Sequence, residues 1–468
     1  MSERMQKNRR TALIGTAMVA LLSLWGCGTK GYDDVAAQRS AALAAAVTTT
    51  KAPAIIDAAT LKGWVDEGKL NAPYGSSDRV VVVSTSLFAN WTTSSKGHIP
   101  GAVRLDTTET GQSRIEGLAL ATSMMPDGPT MDVIIKRLGI DANTTVVFSL
   151  PKNSSLYDQS VPFWNFRYWG FARERLKILN GGDDAWDVAG LPLTKDKTDK
   201  YTPSTYSVSK NAALKDVVRY SLSEMIGKVD AILADPALKE TWQMIDVRGF
   251  ATTPYMTNAL RLSSPTMYLT RLDSDATTTP PTLRNYVYPD KQTFETKIAD
   301  LTNFPVRDGA TNVVASATKK TICMCGSSIS ASPTFVLFDA VLNVPEGDIA
   351  MYDGSSSQWN NYNTARLTAA YPNTIATVAQ RNAWSFNVYT SPVNPLAISK
   401  NRAQGAFPST VTSALAGIWA IFSPVLGPTH VDMNQIENID RVYIRPAAAP
   451  STPTSTTPSG GSTSGGGC

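Results

Sequence analysis

The sequence predicts an α/β protein of two similar halves, each a mainly parallel sheet flanked by helices, followed by a C-terminal extension. Three observations predict this. Leu176-Lys177-Ile178-Leu179-Asn180-Gly181 and Ile349-Ala350-Met351-Tyr352-Asp353-Gly354 each read as a short strand and a glycine turn, and Trp186 and Trp359 follow five residues after the respective glycines, 173 residues apart. Upstream of each lies an apolar strand and a helix-compatible stretch, Thr145-Val146-Val147-Phe148 before 157–170 and Thr321-Ile322-Cys323-Met324 before 331–343. Further up, Arg79 to Val83 and Met244 to Val247 supply another strand per copy, without the polar alternation of a half-exposed strand.

Composition narrows the function classes. The 468 residues leave room for cores of ordinary size. Charged residues are 18% of the chain, below the ~25% usual in soluble proteins. Lys plus Arg number 43 against 39 Asp plus Glu, with no basic block, so no nucleic-acid partner is expected. Only His98 and His430 are histidines, which argues against multi-histidine metal or haem sites; no metal and no cofactor are expected.

Along the chain, residues 1–26 read as a signal peptide: Arg4, Lys7, Arg9 and Arg10, then an apolar stretch from Thr11 to Trp25, short of the ~20 residues a spanning helix needs. Leu24-Trp25-Gly26-Cys27 resembles the lipobox of bacterial lipoproteins, with Trp25 where a small residue is usual. That resemblance implies lipidation of Cys27, a tether over 27–52, and an extracytoplasmic, lipid-anchored protein. Gly28 in place of Asp favours the outer membrane. The first α/β domain is expected over 53–195, a linker over 196–213 inside the Lys- and Thr-rich stretch that starts at Thr194, and the second domain over 214–362. An extension over 363–447 holds a helical candidate at 409–422 and the strand-like Arg441-Val442-Tyr443-Ile444. A Ser/Thr/Pro/Gly tail over 448–468 reads as disordered and carries Cys468 on a flexible arm. Trp164, Trp169, Trp186 and Trp359 read as packing residues.

With Cys27 acylated, Cys323, Cys325 and Cys468 leave an odd number of thiols in an oxidising compartment, so one is expected to stay free for chemistry. On a strand Cys323 and Cys325 face one side and bridge each other poorly, and Cys323 reads as a packed residue. Superposing the copies sets Ser149 opposite Cys325, so only the second copy carries a nucleophile. After Cys325, Gly326-Ser327-Ser328-Ile329-Ser330-Ala331 join a strand end to a helix start, and such a loop can converge its N–H groups on one point. That cradle is expected to favour the Cys325 thiolate and to hold a persulfide or a small oxyanion.

Over about residues 53–362 these elements resemble the rhodanese and 3-mercaptopyruvate sulfurtransferase family, in which an inactive first domain precedes a Cys-bearing one. The landmarks are Gly97-His98-Ile99-Pro100-Gly101-Ala102, Met125-Pro126, Leu138-Gly139-Ile140, Phe166-Arg167 and Asn180-Gly181-Gly182 in the first copy. In the second they are Ile245-Asp246-Val247-Arg248 and the loop Cys325-Gly326-Ser327, closer to the mercaptopyruvate type than to the thiosulfate type. The resemblance implies two rhodanese-like domains, catalysis by Cys325, and substrate contacts from Arg248, Gly326, Ser327, Ser328, Ile329 and Ser330. It also implies a relay through Ser327 and His98. Four departures stand against it. Ser328 replaces a loop glycine, Asn258-Ala259-Leu260-Arg261 replaces the second histidine turn, no acid lies between Val80 and Lys96, and a second substrate arginine is missing unless Arg261 or Arg271 serves.

The expected function is transfer of a sulfane sulfur from a small anionic donor, thiosulfate or 3-mercaptopyruvate, to a thiol or cyanide through a Cys325 persulfide. The alternative is a lipoprotein that binds or transports chalcogen oxyanions such as selenite or tellurite without efficient turnover. In either case envelope redox or transport partners are expected. A weaker third reading is a silent scaffold.

Overall fold

The computed structural model describes residues 48–86, 91, 96–116, 119–196, 203–211, 213–252, 254–362 and 435–444. The expected signal peptide and lipidation site Cys27, the helical candidate at 409–422, the expected disordered tail and Cys468 lie outside the described residues.

In the first half the elements run β1 (Ile55–Ile56), α1 (Ala58–Asp66), β2 (Val80–Thr85), β3 (Val103–Leu105), β4 (Gln112–Glu116), β5 (Ala119–Met124), α2 (Gly128–Arg137), β6 (Thr145–Ser149), α3 (Tyr157–Tyr168), β7 (Leu176–Leu179) and α4 (Gly182–Val188). Strands β1-β7-β6-β2-β3 form one sheet, parallel throughout. The second half continues with α5 (Leu222–Ala234), β8 (Trp242–Asp246), β9 (Ala259–Arg261), β10 (Thr270–Arg271), β11 (Ser274–Asp275), β12 (Thr282–Leu283), β13 (Tyr286–Val287), α6 (Lys291–Ile298), β14 (Val306–Asp308), β15 (Thr311–Val313), β16 (Lys320–Met324), α7 (Ser332–Val336), β17 (Ile349–Met351) and α8 (Ser355–Tyr362). Its sheet runs β15-β14-β9-β8-β16-β17, parallel from β9 to β17, with β14 and β15 added antiparallel at one edge. The expected α/β class with two mainly parallel sheets is what the chain adopts.

The unbroken apolar runs are explained by burial on both faces. Val81 and Val83 of β2 and Val146 and Phe148 of β6 point into a core shared with the second half, whereas Val80, Val82 and Val147 face an outer core with Leu61, Trp64 and Trp186. The second sheet alternates likewise. Cys323 and Cys325 face the shared core, and Ile322 and Met324 face an outer core with Met225, Ile226 and Trp359. Two helices close the shared core, the Ser160 hydroxyl of α3 meeting that of Ser332 in α7 at 2.7 Å. All four singled-out tryptophans are buried; the indole N–H groups of Trp164, Trp169 and Trp186 donate to the carbonyls of Val218, Pro126 and Pro192.

This register corrects the superposition of the copies. Phe148 pairs with Ile178 and Val83, and Cys323 with Met351 and Ile245, so Ser149 corresponds to Met324 and Leu150 to Cys325. Hydrogen bonds agree: Asp183 N–H donates to Leu150 O (2.9 Å) as Ser356 N–H does to Cys325 O (3.0 Å). A one-residue slip moves a side chain to the other face of a strand, which is why Ser149 does not stand in for the thiol.

Each half also sends a hairpin onto the C-terminal edge of the other sheet. From the first half comes β4–β5. From the second comes the arm β10–β13, whose Asn285 amide donates to Pro151 O (3.0 Å) and Gly181 O (3.1 Å) while its Oδ1 accepts from Ser154 N–H (2.8 Å).

Residues 441–444 are not a strand. They are the last turn of a helix, α9 (Gln435–Ile444). Ile436, Asp440 and Tyr443 recur at helical spacing on the inward side, while the β-branched Val442, which suggested a strand, is exposed. Among the described residues no helix is long and apolar enough to cross a membrane.

Candidate active site

Cys325 is the first residue beyond β16, at the C-terminal edge of the second sheet, where parallel α/β folds place their ligands. Three short segments surround it. The first is its own loop. Ser328 has φ +70° and ψ −36°, and Ile329 N–H donates to Ser327 O at 2.9 Å, closing a γ-turn of the strained, positive-φ kind. At the position where the sequence resemblance implied a glycine, a serine adopts positive φ all the same. Ser328 is fixed by its hydroxyl, which donates to Ser123 O at 2.5 Å, and by its N–H, which donates to Ser355 Oγ at 3.3 Å. A short 3-10 turn, Ile329–Ala331, then leads into α7.

The second segment follows β17. Ser355 Oγ accepts the Cys325 N–H at 3.0 Å and donates to Tyr352 O at 2.8 Å, while the N–H groups of Ser356 and Ser357 bond the carbonyls of Cys325 and Gly326. The third comes from β5 of the first half, where Ser123, itself at φ +58°, offers its carbonyl to Ser328. Gly326 has open space where a side chain would begin, so nothing in its surroundings requires a glycine.

The electrostatics correct one expectation. Cys325 is 1% exposed, and this burial raises its thiol above the usual range against the opposing pull of the Ser327, Ala331 and Ser330 N–H groups and the Ser355 hydroxyl. The cradle is present, but desolvation outweighs it, so the resting group is the thiol. Cys323 lies deeper, and burial together with Cys325 pushes its thiol well up. Both cysteines are free.

Arg248 stands within electrostatic range of Cys325. Its Nε and Nη2 hold the Asp246 carboxylate at 2.9 to 3.1 Å, and its guanidinium lies 4.5 Å over the Tyr255 ring. Arg261 and Arg271 are engaged elsewhere, the first on the carbonyls of Phe250 and Thr252 and the second on Arg284 O beside Tyr286.

His98 and Ser327 are not brought together. His98 precedes β3 and so sits at the N-terminal edge of the first sheet, whereas Ser327 lies at the C-terminal edge of the second. Its ring stacks on Trp91 at 3.5 Å, and its nitrogens meet Ile99 O (3.1 Å) and Asp196 O (3.0 Å). It closes the end of the first half, its backbone pairing with Thr194.

Sequence reasoning missed Tyr157. The phenol of this first residue of α3 hydrogen-bonds Ser330 and lies within electrostatic range of Cys325. Ser123, Ser355 and Tyr255 were missed too, because each reaches Cys325 or its loop from another part of the chain. Among the described residues no group of three or more His, Cys, Asp or Glu is gathered to hold a metal ion.

No known family model matches the chain, and no curated protein matches it. Solved structures similar to it include SseA from Escherichia coli, a 3-mercaptopyruvate sulfotransferase of rhodanese fold, at 21% identity and TM-score 0.43 over 65% of this chain and 100% of that one. Tum1 from Saccharomyces cerevisiae is similar at 17% identity and TM-score 0.46, over 65% of this chain and 94% of its own. An anaerobic ergothioneine biosynthesis enzyme from Chlorobium limicola, solved with its natural substrate trimethyl histidine, is similar at 17% identity and TM-score 0.42, over 66% of this chain and 68% of its own.

Proposed function

We propose that the protein is a sulfurtransferase that carries sulfane sulfur on Cys325. The observation that carries this reading is the cradle itself: the Ser327, Ala331 and Ser330 N–H groups oppose the burial of one thiol at a strand end, with the cationic Arg248 in range. Such an array stabilises negative charge on sulfur, whether a thiolate or the terminal atom of a persulfide.

With thiosulfate as donor, the Cys325 thiol first gives up its proton to solvent as the site opens, and the resulting thiolate attacks the sulfane sulfur. A sulfur–sulfur bond forms on Cys325, the sulfane–sulfonate bond breaks, and sulfite departs with its electron pair. An acceptor thiolate then attacks the outer sulfur and leaves with it as a persulfide, returning the Cys325 thiolate. Arg248 and the loop amides bind the donor's charge. Since Cys325 is 1% exposed, the donor reaches it by displacing side chains above it. Tyr157, half-buried beside Ser330 and within electrostatic range of Cys325, is a side chain placed to move aside there.

Intact-mass measurement tests this. The purified chain incubated with thiosulfate or 3-mercaptopyruvate is expected to gain the mass of one sulfur, lost again on adding cyanide, and Cys325→Ser is expected to gain none. No gain with either donor, together with retention of selenite or tellurite, would replace transfer by oxyanion capture.

A further inference from the structure

The C-terminal helix α9 contributes two buried carboxylates to the interior. Asp440 is fully buried and accepts Arg114 Nη2 and Nη1 at 2.9 Å each and the Tyr168 hydroxyl at 2.9 Å. It is the one carboxylate on Arg114 among the described residues. Glu437 accepts Arg219 Nη1 at 3.2 Å. Ile436 packs on Ala121 and Met124 of β5, and Tyr443 donates to Asp132 of α2 at 2.6 Å.

Both arginines lead from the helix to the thiol. Arg114 Nη1 also donates to Met125 O (3.1 Å), and Met125 N–H donates to Asp353 Oδ2 (3.1 Å). Arg219 reaches the same carboxylate through Nε at 3.0 Å and clamps Glu116 of β4 through Nη1 and Nη2 at 3.3 and 3.1 Å. Asp353 stands two residues before Ser355, whose hydroxyl receives the Cys325 and Ser328 N–H groups. The β4–β5 hairpin closes the circuit, since Ser123 at its end accepts the Ser328 hydroxyl. Apart from the half-buried Ser123, every member of this circuit is buried, so water replaces none of those without structural change.

We propose that α9 is a C-terminal strap that positions the thiol site, with Asp440 and Glu437 acting through Arg114 and Arg219 to hold the β4–β5 hairpin and the Asp353–Ser355 turn against the Cys325 loop. This rests on the reading of Cys325 as the reactive centre. Asp440 and Glu437 are positioning residues; neither touches the sulfur. The strap links the end of a long extension, whose preceding residues lie outside the described part, to the exposure of one cysteine.

The test is alkylation of the full chain by iodoacetamide, read separately at Cys323 and Cys325 by peptide mass. Asp440→Asn keeps the shape and removes the charge, and is expected to raise the Cys325 rate at least tenfold while Cys323 stays at its wild-type rate. Ile436→Ala loosens the helix without stranding a charge and is expected to raise the Cys325 rate about threefold. Replacing the pair together, Arg114→Met with Asp440→Leu, strands no charge but still breaks the link to Met125 O, so the Cys325 rate is expected to stay raised, and a return to the wild-type rate would overturn the strap. An unchanged Cys325 rate in both single variants would overturn the strap, as would a parallel rise at Cys323, which marks general loosening. Alkylation needs no sulfur donor, so a wild-type chain that forms no persulfide would sink the transferase reading and leave this result standing.

Discussion

At the residue scale the site turns on Ser328. A non-glycine residue held at positive φ costs about 1–2 kcal/mol, and a strained γ-turn persists only where its surroundings fix it. Here they do: the hydroxyl bonds Ser123 O, and the amide bonds Ser355. The opposing effects separate by substitution. Ser328→Ala keeps the backbone strain, loses the hydroxyl bond and leaves Ser123 O without it, so it is expected to lower stability by about 1–2 kcal/mol. Ser328→Gly loses the same bond but relieves the strain and is expected to fall within about 1 kcal/mol of wild type. Urea unfolding midpoints read both, and a glycine variant as weak as the alanine one would show that the turn carries no strain. The loop and Arg248 were legible because strand, cysteine and small residues are contiguous in sequence. Tyr157, Ser123 and Ser355 were not, since contacts between distant segments leave no local pattern. His98 stayed open between two roles for a related reason: a histidine beside a tight turn reads alike whether it caps the fold or serves a reaction.

At the element scale the two halves show why a repeat does not make two sites. Leu150 occupies the place of Cys325, and three neighbours seal it. Asp183 N–H bonds its carbonyl, a Cβ on Gly182 would come 2.7 Å from that oxygen, and Asn285 of the opposite arm binds Pro151 O and Gly181 O. Leu150→Cys in a Cys325→Ser background is therefore expected to give a thiol that iodoacetamide leaves unmodified during the time that fully labels Cys325 in the wild type. The lost methylenes are expected to lower stability by about 1–2 kcal/mol. Comparable labelling at position 150 would mean that the seal opens freely. The parallel strands were readable because burial on both faces demands unbroken apolar runs. The hairpin arms were not, being strands as short as two residues with polar sequences such as Ser274–Asp275. Helix α9 misled for a physical reason: three of its last four residues carry bulky strand-favouring side chains, and its inward face includes Asp440, a charge that the distant Arg114 and Tyr168 make tolerable.

At the scale of the whole molecule, buried carboxylates set the pH dependence of folding. Burial raises Asp183 to about 8 against the Ser149 hydroxyl at 2.6 Å and raises Asp158 to about 7 against nearby Lys96. Each is protonated in the folded chain across a range where the unfolded chain, with ordinary carboxyl values near 4, has released its proton. The folded state then binds more protons than the unfolded one, so stability falls as pH rises from about 4 and levels off only above the folded values. At the acid end the sign reverses. Hydrogen bonds from Thr60 hold Asp57 below the usual range, and the stability that such groups contribute is lost as pH drops through their folded values. Thermal unfolding across pH is therefore expected to show greatest stability near pH 4–5 and a decline towards pH 8. Asp183→Asn isolates one contribution, because an amide is neutral in both states. A single group of this kind changes stability by at most about 1.4 kcal/mol per pH unit. The wild-type loss of stability between pH 5 and pH 8 is accordingly expected to shrink by about 2–4 kcal/mol in the variant. An undiminished slope in Asp183→Asn would mean that Asp183 ionises within the fold and that Ser149 and its neighbours solvate the charge after all.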